Sequence, residues 1–181
     1  HLLINSIKRI KKDIPFVSLT IVGEGFYRDK LLNLVKTNDM SSYVQIINDA
    51  DDDRLRELYG SANLFVLANH KLSNGDTEGC PSVFSEAMAY GLPVIGGTGA
   101  GVDTAIIDGE NGFIVNAMDD SALDQAILTI LSNKNLANEM SINGRAKLER
   151  DHTPSVVGAA FRESIYRFIH QLPAKGFQKE F

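Results

Sequence analysis

The sequence predicts a doubly wound parallel α/β domain, and three observations carry that prediction. Short β-rich apolar runs alternate along the chain with amphipathic segments of helical period. The apolar runs are near-continuous, as strands covered on both faces require, rather than alternating apolar and polar residues. Turns at Gly23, Asn48, Asn69 and Gly96 leave the ends of such runs, and open parallel sheets bind their ligands at the carboxyl ends of the strands.

The elements follow in order. Leu2, Leu3, Ile4, Ile7 and Ile10 recur at helical spacing, with Lys8, Arg9, Lys11 and Lys12 between and after them on a solvated face; Asp13 and Pro15 end the helix. Phe16 to Val22 reads as a strand running into Gly23-Glu24-Gly25, and Tyr27 to Thr37 as the helix after it. Tyr43 to Ile47 is the next strand. The acidic run Asp49 to Asp53 then opens a helix through Tyr59, where capping explains the charge better than a metal site does. Asn63 to Ala68 is a third strand, and 69–81 is a polar loop long enough to be functional.

A helix bounded by Pro81 and Gly91 precedes the buried-strand pattern at Val94 and Ile95. Val102 to Ile107 reads as a short helix, Asp108 to Gly112 as a turn and Gly112 to Val115 as a strand. Helices cover 119–131, 136–148 and 154–170. The folded unit is expected over 1–172, with 173–181 an irregular tail.

At 181 residues the chain holds one domain with a substantial core, and its 44% apolar and 23% charged content argues against disorder. A net charge of −5 gives no footprint for nucleic acid or an anionic membrane. The one cysteine, Cys80, has no partner for a disulfide and no Cys or His companions at metal-ligand spacing, which fits a reduced, cytoplasmic setting. No apolar run approaches the ~20 residues of a membrane span, and no signal-peptide layout opens the chain. The start at His1, without a methionine, reads as a piece of a longer chain.

The chemistry concentrates between Asp76 and Gly101. Glu78 and Glu86 stand with seven residues between them, one before the helix and one about a turn inside it. The first N–H groups of that helix are unpaired and its dipole is positive toward the loop, which makes a site for an anion such as a diphosphate. Carboxylates beside an anion site are suited to accepting hydrogen bonds from hydroxyls, on a ribose and on a sugar. Val83, Phe84, Ala87 and Met88 mark the helix as largely buried, so Glu86 is expected to have a partner. For Glu78 a plain helix-start charge is an equal reading. Cys80 reads as a small packing residue, since no histidine stands near it.

These residues together resemble the C-terminal, donor-binding domain of the retaining GT-B glycosyltransferases of family 4, the glycosyl transferases group 1. Val22-Gly23-Glu24-Gly25, Leu58-Tyr59 with 62–67, the Glu78 to Glu86 element, Gly91-Leu92-Pro93-Val94-Ile95 and 108–115 fall in that family's order and spacing. The resemblance implies a Rossmann-like half of a GT-B fold and a UDP- or GDP-linked sugar donor. Glu86 would meet the ribose hydroxyls and Glu78, as the catalytic residue, the donor sugar. The backbone of Gly79, Cys80, Pro81, Ser82 and Val83 would lie near the diphosphate. Asn48 and Ala50 would line the base beside Gly23, Glu24 and Gly25, and no cofactor or bound metal is implied.

Where the family has glycine, this chain has Ser82 and Asn48; Asn48 is expected to replace it through its tolerance of the left-handed region. The resemblance also implies a first strand, basic diphosphate contacts and an acceptor-binding N-terminal domain, all preceding these residues. The fragment alone would then be inactive in transfer, and any membrane association would come through the parent chain. A nucleotide-sugar epimerase and a non-catalytic nucleotide-binding interaction domain are the other readings of the same architecture.

Overall fold

A computed structural model describes residues 1–70, 82–99, 101–151 and 153–171. The elements run α1 (Leu2–Ile10), β1 (Leu19–Val22), α2 (Arg28–Thr37), β2 (Val44–Ile47), α3 (Asp52–Ser61), β3 (Phe65–Leu67), α4 (Ser82–Ala89), β4 (Val94–Gly97), a 3₁₀ turn (Val102–Thr104), β5 (Gly112–Val115), α5 (Asp120–Ser132), α6 (Lys134–Asp151) and α7 (Pro154–Gln171). The α/β alternation and the parallel pairing are as the sequence predicts. β1 begins three residues later than the apolar run, and Phe16 at its head is almost fully exposed. Only a single 3₁₀ turn forms where a helix over 102–107 is expected. The tail at 173–181 lies outside the described residues.

The strands fall into two parallel sheets, β1-β2 and β3-β4-β5, with Leu19 opposite Val44, Phe65 opposite Val94 and Val94 opposite Gly112. β1 and β3 are not hydrogen-bonded to each other, yet Leu19, Ile21, Leu64 and Val66 converge on one core with Ile4, Ile7 and Ile10 of α1 and Leu123, Ile127 and Ile130 of α5. A bidentate pair from Arg9 to Asp124 (2.6 and 2.9 Å), extended to Asp120 at 3.0 Å, ties α1 to α5. Lys11 donates to the Val17 carbonyl and lies 4.3 Å over the Tyr43 ring. Arg9 and Lys11 therefore serve tertiary contacts and do not lie on the solvated face expected of them, because the short helix is covered on more than one side.

A second core gathers Phe84, Ala87, Met88, Leu92, Val94, Val102, Ala105 and Ile106. It holds α4 against β4, all four residues of which are buried. Close approach explains the glycines after Ile95. A Cβ on Gly96 would meet Ile106 and Phe84 within about 3 Å, and one on Gly97 would sit 1.7 Å from the Asn69 carbonyl oxygen. Gly91 follows the end of α4 with φ of 72°, a left-handed conformation that favours glycine. Arg145 of α6 then donates to the Ala89 carbonyl at 2.8 Å, a cation at a helix C-terminus. The turn after the 3₁₀ segment is held by Asn111, 1% exposed, which accepts from the Ile107 N–H and donates to the Ala105 carbonyl.

Candidate functional site

Parallel pairing places the carboxyl ends of β1 and β2 side by side, and the sequence there supplies glycine and short polar residues. The Gly23 N–H donates to the Ile47 carbonyl at 3.0 Å, the last rung of the ladder. Gly23 and Gly25 then take φ of 145° and 155°, conformations that favour glycine. Gly23, Glu24 and Gly25 are exposed, as is Phe26. Asn48 and Ala50 leave the neighbouring strand end, so two of the expected groups are brought together.

The expectation for Asn48 is corrected in one respect. Asp39 is the non-glycine residue with positive φ among the described residues, so Asn48 does not replace glycine by adopting the left-handed region. Its side chain instead accepts a hydrogen bond from the Arg28 guanidinium at the start of α2. Arg28 also faces Asp29 at 3.6 Å. It is a cation at the strand ends that sequence reading passes over, since a lone arginine after a glycine turn carries no pattern. Asp51 caps α3 as predicted, accepting from the Arg54 N–H at 2.8 Å, and Asp53 pairs with Arg56. No group of three or more His, Cys, Asp or Glu among the described residues could hold a metal ion.

On the other side stands α4, which begins at Ser82 as the sequence predicts. Glu78, Gly79, Cys80 and Pro81 lie outside the described residues. Ser82 and Val83 form the first turn, where backbone N–H groups lack intrahelical acceptors. Phe84, Ala87 and Met88 are fully buried, but Glu86 is exposed on the opposite face. The argument that burial forces a partner on Glu86 therefore falls, because an eight-residue helix packed on one side leaves its other face in solvent.

Glu86 nonetheless has partners. The Tyr59 hydroxyl donates to Oε2 at 3.2 Å and the Ser82 hydroxyl to Oε1 at 3.3 Å. Side chains on a helix lean toward its N-terminus, so the carboxylate reaches back over the first turn of α4. Tyr59 stacks on Tyr90, with ring centroids 5.3 Å apart and 16° between planes. Its phenol is pushed up to about 12, chiefly by burial and then by the Glu86 charge and hydrogen bond. Asn69, just past β3, stands at a strand end as the sequence predicts, and its Oδ1 accepts from the Gly97 N–H at 3.0 Å, joining the two strand ends.

Parallel strands alternating with helices, glycine turns at the carboxyl ends of β1 and β2 and a carboxylate held on α4 make up a Rossmann-like domain. Residues 1–147 match the family described as glycosyl transferases group 1, and the chain belongs to that family. It is 27% identical over 145 residues to a GDP-mannose-dependent alpha-(1-6)-phosphatidylinositol monomannoside mannosyltransferase of Mycolicibacterium smegmatis, covering 80% of this chain and 38% of the relative. An uncharacterized glycosyltransferase of Haemophilus influenzae is 30% identical over 141 residues, covering 77% of this chain and 38% of the relative. The chain thus spans well under half the length of these relatives.

Solved structures share the fold. Sucrose-phosphate synthase from Thermosynechococcus elongatus superposes with a TM-score of 0.79 at 24% identity, over 94% of this chain and 42% of that one. The C-terminal domain of a glycosyl transferase group 1 family protein from Francisella tularensis gives 0.72 at 21% identity, over 84% of this chain and 78% of that one.

Proposed function

We propose that these residues are the donor-binding half of a retaining glycosyltransferase, which transfers a hexosyl unit from a UDP- or GDP-linked sugar to a saccharide or lipid-linked acceptor. The observation that carries the reading is the Glu86 carboxylate, held on both oxygens at the first turns of a helix that opens at the sheet's carboxyl edge. In this reading Glu86 accepts the ribose hydroxyls, the amides from Gly79 to Val83 face the diphosphate and Glu78 stands by the donor sugar. Gly23 to Gly25, Asn48 and Ala50 border the base.

The departing diphosphate gains stabilisation from the α4 dipole and its free amides, so this half of the site asks for no metal. The acceptor-binding half, and a strand that would join β1 to β3, belong to a longer, cytoplasmic protein in this reading, and the 181 residues alone bind donor without completing transfer. The two sheets sharing one core support the strand, and the GDP-mannose dependence in the name of the mycobacterial relative supports testing GDP beside UDP. Calorimetric titration of UDP and of GDP against the chain tests the reading. One of them binds, and Glu86→Ala weakens it at least about tenfold, the worth of a hydrogen bond to a charged acceptor. Unchanged affinity in the variant sinks the ribose assignment.

A further inference from the structure

The geometry points to Tyr59 as a positioning residue whose phenol fixes the Glu86 carboxylate in the orientation that receives a vicinal diol. The inference rests on the ribose reading of Glu86 and adds a residue to it. An exposed glutamate ordinarily samples many rotamers. Here its two oxygens meet donors from two different elements, Tyr59 of α3 and Ser82 of α4, and Tyr59 stands 27 residues away in sequence.

Tyr59 is suited to this task because its own ring is confined. Tyr90 stacks on it, Phe65 lies tilted against it with centroids 6.0 Å apart, and Phe65 is backed edge-on by the fully buried Phe84 at 5.8 Å. The phenol tip therefore inherits the rigidity of the α4 core and passes it to the carboxylate. A carboxylate offers about four lone-pair sites. Tyr59 and Ser82 take one on each oxygen, which leaves one on each for a ligand with two adjacent hydroxyls. A ribose presents such a pair; a 2′,3′-dideoxyribose does not.

The test measures the affinities of UDP and GDP and of their 2′,3′-dideoxy counterparts for the wild-type chain, Tyr59→Phe, Glu86→Ala and the double variant. The wild type prefers the ribonucleotide about tenfold, and Glu86→Ala abolishes the preference. Tyr59→Phe, which keeps the ring stack, cuts the preference at least about threefold with dideoxy affinity unchanged, and adds nothing to Glu86→Ala. An undiminished preference in Tyr59→Phe beside its loss in Glu86→Ala overturns the positioning role and leaves the ribose reading standing. Equal weakening of both ligands by Tyr59→Phe also overturns it, as the mark of packing alone. A preference that survives Glu86→Ala, or no binding of either diphosphate by the wild type, overturns the ribose reading and this inference with it.

Discussion

Around α4 the site rests on Phe84, Ala87 and Met88, each fully buried, whereas the turn that leaves β1 carries Gly23, Gly25 and an exposed Phe26, although Ile21 and Ile46 beneath it pack on the first core. Each side makes a side-chain hydrogen bond, Tyr59 to Glu86 on one and Arg28 to Asn48 on the other. On the α4 side the donor is a ring packed between aromatic neighbours; on the β1–β2 side it is an arginine, 40% exposed. A polar contact is only as well oriented as the packing behind it. The side-chain contact on the α4 side is thus held by packing, and the one on the β1–β2 side is held by polar partners alone.

The largest expected effect tests the packed side directly. Phe84→Ala opens a cavity where α4, β4 and the 3₁₀ turn meet, and should cost about 3–5 kcal/mol in urea denaturation. A loss below about 1 kcal/mol would mean that α4 is not held by this core, and the contrast between the two sides would collapse.

Tyr59 gives an intermediate effect with a sign set by protonation. Its folded-state phenol is raised from 10.0 to about 12, so between those values the folded state keeps a proton that the unfolded chain gives up. The stability it contributes is complete below pH 10 and is lost as pH rises through about 12. Tyr59→Phe should flatten that alkaline fall in stability. Denaturation midpoints that run parallel for wild type and variant over this interval would show that the phenol is not held as described.

The smallest effect belongs to the open side. Arg28→Met removes the bonds to Asn48 and Asp29 at a partly exposed position and should change stability by less than about 1 kcal/mol. A cost equal to that of Phe84→Ala would show the β1–β2 side to be as firmly built as the other.

Much of the scaffold was legible because its signals are local. The α4 start at Ser82, the Asp51 cap and the Gly91 terminus each depend on residues within a few positions of one another. Glu86 has the partners that the sequence leads one to expect, but not for the reason of burial, since its helix buries one face and leaves the carboxylate on the other. For Asn48 the local sequence speaks only to backbone conformation, whereas the side chain is the part engaged. The partners of Arg28 and Tyr59 are not legible in the sequence because they lie 20 and 27 positions away. Spacing on that scale encodes no contact until the strands and crossovers are in place.

The sequence by itself determined the order of strands and helices and the parallel class, because apolar period, turn residues and caps act over one or two turns of chain. Tertiary structure alone decided that the strands divide into two sheets over a shared core, that Arg9 and Lys11 serve that core, and that Tyr59 reaches Glu86. Those outcomes depend on which elements pack side by side, and packing brings together residues whose separation along the chain carries no record of it.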